Sequence, residues 1–193
     1  MSKLSHSDLY SLEQYSRIRP EFRTTVMEHK KNRHIEIGEH AGLYFEDNLT
    51  MKYQVQEMLR IERLFEAEAI QDELDVYNDL VPDGGNLKAT FMLEYSQIEE
   101  RKKALASLVG VEHTLYMQVE GFDPVKAIAN EDLERSTDEK TSAVHFVRFE
   151  FSAEMISALK QGAALYASIE HENYPERVKL MGNQHSALLA DFA

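Results

Sequence analysis

Phe91-Met92-Leu93-Glu94-Tyr95-Ser96 and Val147-Arg148-Phe149-Glu150-Phe151-Ser152 are two versions of one pattern. A second pair follows each of them: Leu115-Tyr116-Met117-Gln118-Val119-Glu120 and Leu165-Tyr166-Ala167-Ser168-Ile169-Glu170. An internal match of this kind is the mark of a duplicated supersecondary unit. Between the blocks lie helical stretches, residues 97–108 in the first copy and 153–160 in the second. They differ by about one turn, so both can present the same face. Each copy reads strand, helix, strand. Two in series give β-α-β-β-α-β, a ferredoxin-like split βαβ arrangement and hence an α+β fold. In that topology the strands around 87–95 and 143–151 are central antiparallel neighbours. Those around 113–120 and 163–170 lie on the flanks of the same sheet. Val125-Lys126 and Val178-Lys179 correspond as extra edge strands. A second reading pairs strand–helix–strand–strand modules, as in vicinal-oxygen-chelate enzymes, whose modules carry one strand more.

Working outward, residues 1–80 read as a helical N-terminal region with a small hairpin, and residues 86–193 as the repeated β-α-β domain, together one globule. Ser7-Asp8 caps a short helix through Tyr15, and Pro20 suits the first turn of another that runs to about Arg33. Short alternating segments at 34–38 and 42–46 suggest the hairpin. Met51, Val55, Met58, Leu59, Phe65, Ala69 and Ile70 recur at helical spacing, which predicts a long helix over 48–77 with a break near 69–71. That helix is the expected lid on one sheet face. Val81-Pro82-Asp83-Gly84-Gly85-Asn86 then stops it.

Composition bounds the chemistry. The chain has 193 residues, 34 Asp and Glu against 21 Lys and Arg, a formal charge of −13 and no cysteine. Such a charge opposes nucleic acid and anionic membranes as partners. Without cysteine there is no disulfide, thiolate metal site, cysteine nucleophile or protein-held iron–sulfur cluster. No apolar run approaches the roughly 18 residues needed to cross a bilayer. The first ten residues lack the apolar core of a signal peptide, so a cytoplasmic location is expected.

Three groups of residues could carry chemistry. Glu62 and Glu66 are four apart on one helix face and can serve as metal ligands or as an acid–base pair, although no Glu-x-x-His partner helix accompanies them. His145 falls on the apolar face of a central strand, where a satisfied core histidine competes with a ligand or general base. With Glu62 and Glu66 it makes the candidate metal set. Arg148 and Glu150 share the opposite face with Lys88, Thr90 and Met92. Charges on a covered face must be paired, so Lys88, Arg148 and Glu150 form the candidate ligand-binding layer. The repeat-related Glu94, Glu120, Glu150 and Glu170 lie at strand ends and are read as structural. No nucleophile elbow, zinc-protease helix or dinucleotide loop is present, and no cofactor is specified.

Taken together, several segments resemble a known family. They are Ser11-Leu12-Glu13-Gln14-Tyr15, Arg19-Pro20-Glu21-Phe22-Arg23 and Glu57-Met58-Leu59-Arg60-Ile61-Glu62-Arg63. To these add Tyr77-Asn78, Pro82-Asp83-Gly84, Asn86-Leu87-Lys88-Ala89-Thr90, Lys140-Thr141-Ser142-Ala143-Val144-His145-Phe146 and Arg148-Phe149-Glu150. The pattern resembles an uncharacterised bacterial family, domain of unknown function 3501, over essentially the whole chain. The resemblance implies a peroxide, iron or electron-transfer setting, with a rubrerythrin-like or iron–sulfur oxidoreductase protein as partner, and assigns no residue roles. Two functions follow as expectations: a binding or accessory protein, and a metal-dependent enzyme or sensor with a carboxylate–imidazole site. A homodimer through sheet faces or edges is the candidate assembly.

Overall fold

The structure, a computed structural model, describes residues 3–133 and 135–192. It is an α+β fold in which two antiparallel sheets enclose one core and a helical region adds a second.

The N-terminal region departs from expectation at two places. A single helix, α1 (Leu12–Lys31), replaces the two predicted, with Pro20 in its interior. Its start is set by Ser11, whose hydroxyl accepts from the Gln14 amide while the Gln14 side chain accepts from the Ser11 amide. An interior proline removes a helical hydrogen bond and crowds the preceding turn. Here Glu57 holds the helix just before the proline: it takes the Tyr15 hydroxyl at 2.7 Å and both Arg19 Nε and Nη2, at 2.7 and 2.8 Å.

After the hairpin β1 (His34–Ile37) and β2 (Ala41–Phe45), the predicted long helix is two: α2 (Asn48–Glu62) and α3 (Ala67–Asn78). The break comes at Arg63, in the left-handed conformation (φ 55°, ψ 47°), and not at 69–71. Both the Arg63 and Leu64 amides return to the Leu59 carbonyl, the closure that ends a helix. The turn lets Ile70 and Leu74 fold back on Val55 and Leu59, and these four form the second core.

The remainder is β3 (Asn86–Leu93), α4 (Ile98–Ser107), β4 (Leu115–Val119), β5 (Val125–Lys126), β6 (Ile128–Ala129), β7 (Val144–Glu150), α5 (Ala153–Lys160), β8 (Leu165–His171), β9 (Tyr174–Lys179) and α6 (Gly182–Leu189). As expected, β3 and β7 are central antiparallel neighbours. The ferredoxin-like single sheet is corrected. β4 and β8 do not flank that pair but bond to each other, so the sheets run β1-β2-β3-β7-β6 and β5-β4-β8-β9. The helices show why. α4 buries no residue and α5 only Leu159, so neither can cover an apolar sheet face. The inner residues of β3 and β7 are covered by Leu115, Met117, Val119, Leu165, Ala167 and Ile169 of the opposite sheet. Leu105 of α4 and Met155, Ile156 and Leu159 of α5 pack against this core, and sheet on sheet closes the rest.

The duplication survives as symmetry. Thr90 and Phe146, equivalent positions of the two copies, are direct cross-strand partners, and so are Met117 and Ala167. An internal pseudo-twofold axis therefore passes through the middle of both strand pairs. At one margin the chain steps from sheet to sheet: β5 pairs with β4, Ala127 is buried, and β6 pairs with β7. At the other margin the Tyr174 hydroxyl donates to the Ile37 carbonyl and accepts from the His40 amide, both at 2.9 Å. Gly38 makes room for it: at φ 71°, a Cβ there would lie 2.6 Å from that oxygen.

Strand alternation places Lys88, Thr90, Phe146, Arg148 and Glu150 on the outer face of the five-stranded sheet and His145 on the inner one. The C-terminal end of α3 comes down on that outer face beside β3 and β7.

Candidate functional site

A cavity of about 680 Å³ lies between the end of α3, the outer faces of β3, β6 and β7, and the loop that follows β6. Its size falls within the roughly 300–1,000 Å³ of small-molecule sites. Val76, Tyr77, Leu80, Ile128 and Phe146 give it apolar walls. The polar groups converge from one side. Lys88 and Arg148 are directly opposed across β3 and β7. Two like charges at that spacing repel, and they are accommodated differently. Arg148 presents Nε and Nη2 to the two oxygens of Glu131, at 2.9 and 2.8 Å, and Nη1 to Glu150. The hydrogen bond from Arg148 holds the Glu131 carboxyl below its ordinary pKa, and the same pair raises that of the guanidinium. Lys88 has no ion pair among the described residues; its ammonium donates to the main-chain oxygen of Asp79 at 2.7 Å. Burial pushes its pKa down. Arg135 is paired with Asp132 and lies over the Phe146 ring, 4.6 Å from its centroid.

A second polar cluster lies inside the core at the two ends of the same loop. His145 is fully buried. The Asn130 amide group is 3.0 Å from its Nδ1, while Nε2 lies 3.0 Å from the Ser142 carbonyl and 2.9 Å from the Thr141 hydroxyl. A carbonyl can only accept, so these partners select the neutral tautomer with the proton on Nε2. Burial lowers the His145 pKa further than nearby Glu112 raises it. Glu112, also buried, accepts from Ser136 and, at 3.2 Å, from Thr141. Burial alone would raise its carboxyl, but these hydrogen bonds and His145 bring the balance below the ordinary value.

The structure gathers Lys88, Arg148 and Glu150 in one layer, as the sequence placed them. It does not bring Glu62, Glu66 and His145 together. Glu62 and Glu66 are exposed on either side of the break between α2 and α3, whereas His145 faces the core. Among the described residues no three His, Asp or Glu side chains are grouped to hold a metal. The strand-end glutamates are dispersed as well: Glu94 accepts from Tyr44, Glu120 from the Ala164 amide, and Glu150 from Asn86 and Arg148. Sequence reasoning missed Glu131, Asp132 and Arg135 of the cavity, and Glu112, Asn130 and Thr141 around His145. The signal available was position: residues 127–143 are the one long insertion between the two repeat copies, and they are strongly charged.

Fold and site define an α+β protein with an internally duplicated two-sheet core and a partly lined cavity beside it. The chain belongs to the family described as protein of unknown function (DUF3501), whose model matches residues 3–192. It is similar to a crystal structure of a novel protein of unknown function from Burkholderia pseudomallei K96243, with 45% identity, 100% of both chains covered and a TM-score of 0.93. No curated protein matches it. Among the described residues no helix is long and apolar enough to cross a membrane.

Proposed function

We propose that the protein binds a small amphipathic anion in the cavity beside β3 and β7, with Lys88 and Arg148 as its charged contacts and Glu150 orienting Arg148. The observation that carries this reading is Lys88: a half-buried ammonium facing an apolar-walled cavity with a single carbonyl partner. An ammonium has three donors, and only one is used by the described residues, which leaves the others open to a ligand. An anion supplies what the site lacks, and Phe146, Ile128, Leu80 and Val76 would take its apolar part. In the redox setting implied by the family resemblance, such a protein would act as an accessory to a rubrerythrin-like or iron–sulfur oxidoreductase partner, since it has no cysteine to carry that chemistry itself. Titration calorimetry with 2-naphthoate tests the site. Wild-type protein should bind it, and Lys88→Met, folded by circular dichroism, should bind it at least about tenfold more weakly, the loss of one charge-assisted contact. Equal binding by the two proteins would remove Lys88 from the site.

A further inference from the structure

The guanidinium of the cavity already holds a carboxylate of the chain itself. Glu131 lies just beyond β6, in the loop that lines the cavity, and its side chain is 54% exposed. Its carboxylate nonetheless seats both oxygens on the Nε edge of Arg148, the side-on, two-bond geometry in which a guanidinium recognises a planar carboxylate. The fork is otherwise aimed at the cavity. Its remaining bond, to Glu150 on the same strand, leaves that edge free for whichever carboxylate competes best. We propose that Glu131 is an internal competitor for the binding site, and that the ligand class is a free carboxylic acid with an apolar body whose carboxylate displaces Glu131 from Arg148.

This rests on the binding reading above and adds the headgroup and the competitor. Three features support it. The pair is formed by a loop residue rather than one from the sheet, so giving it up disturbs no strand. It is partly solvated, so its loss costs little. Released Glu131 regains water, whereas the ligand's carboxylate gains both the Arg148 fork and the spare donors of Lys88, its cross-strand neighbour.

Calorimetry with 2-naphthoate and its neutral counterpart 2-naphthamide separates the possibilities, using wild-type protein, Glu131→Gln, Asp75→Asn and Arg148→Met. Glutamine keeps the size of Glu131 but cannot hold the fork with two charged oxygens. Glu131→Gln should therefore bind the acid roughly tenfold more tightly than wild type, because a site no longer self-occupied is available more of the time. The amide should be unaffected. Asp75→Asn removes an exposed carboxylate of α3 that does not line the cavity and accepts from Gln71, and should change affinity by less than about twofold, as expected for a screened charge. Arg148→Met should abolish binding of the acid. If Glu131→Gln and wild type bind the acid equally while Arg148→Met does not bind it, the site stands and the competitor is overturned. If Asp75→Asn matches the gain of Glu131→Gln, the effect is general electrostatics and the competitor again fails. If neither wild type nor Glu131→Gln binds the acid, the binding reading falls with it.

Discussion

The two repeat copies are followed by very different tails. After the first, residues 127–143 cross to the five-stranded sheet as β6 and then run as a charged loop past the cavity. After the second, the chain forms α6 and packs at one end of the strands of that sheet, where Gln184 donates to the His34 carbonyl and Phe192 packs edge-on against Phe151. The second tail is locked by Arg33. This buried guanidinium donates to the Phe45 and Glu46 carbonyls at 3.0 Å, to Ala187, and with two nitrogens to Asp191, itself 4% exposed. The first tail is held at its ends by neutral bonds around His145 and in its middle by half-exposed ion pairs. Symmetry in the core is thus combined with asymmetry outside it: one tail closes the fold, and the other lines the cavity.

The sharpest way to break this comparison is to unlock the second tail. Arg33→Met leaves Asp191 buried without a partner and should destabilise the protein by roughly 3–5 kcal/mol, as breaking one side of a buried pair does. Chemical denaturation would show it. The double variant Arg33→Met with Asp191→Leu should recover part of the loss, since two apolar groups carry no stranded charge. If Arg33→Met costs no more than a surface substitution, α6 is not locked as described.

The first tail should respond less. Thr141→Val removes the hydroxyl that donates to Glu112 Oε2 and lies beside His145. His145 keeps the Ser142 carbonyl and Glu112 keeps Ser136 on its other oxygen, so Oε2 is the buried atom that loses its donor. A loss of about 1–3 kcal/mol is expected, the cost of an unsatisfied buried polar group. A change near zero would mean that water replaces the hydroxyl and that the loop end is open.

Acidification probes the same place more gently. The pKa of His145 is lowered on folding, by burial first, from an ordinary value of 6.5. The unfolded chain therefore takes up a proton more readily. Stability is complete above pH 6.5 and falls as pH drops from there through the depressed folded value. The charged groups around this imidazole are Glu112, Arg135 and His113. Glu112, whose carboxyl is also held below its ordinary value, does not titrate in the interval just under pH 6.5, where His145 does. His145→Gln should flatten the stability profile in that interval. An unchanged slope would assign it to another histidine.

What the sequence disclosed follows from the reach of each signal. Alternation along 86–93 and 144–150 separated Lys88, Arg148 and Glu150 from His145, because a strand's two faces are a local property. The duplicated blocks revealed two copies but not how they pair. Whether β4 flanks β3 or meets β8 depends on whether α4 can cover a sheet, and Ile98, its most apolar entry residue, proves 61% exposed. The helix break at Arg63 was hidden because neither glycine nor proline marks it; the Leu59 carbonyl and the packing of Ile70 impose it from outside. The cavity residues Glu131 and Arg135 were illegible for a related reason. They lie in a segment without periodicity, and their partners Arg148 and Asp132 are chosen by the loop's path rather than by spacing alone.

The smallest stability effect carries the most information. Glu131→Gln breaks a two-bond pair with Arg148 that has side-chain exposures of 54% and 26%. Exposed or half-exposed pairs contribute about 0–1 kcal/mol, because water and salt compete for both charges and two side chains must be held in one arrangement. Glu150 remains to partner the guanidinium, so no stranded charge results. The melting curve of Glu131→Gln should accordingly lie within about 1 kcal/mol of wild type, while Arg33→Met lies far below. Raising the salt concentration should shrink even that difference. A loss of several kcal/mol would mean that Glu131 holds the first tail as Arg33 holds the second, and the two tails would then be alike in purpose. Near neutrality, together with a change in anion binding, places the pair where structure is spent on function rather than on the fold.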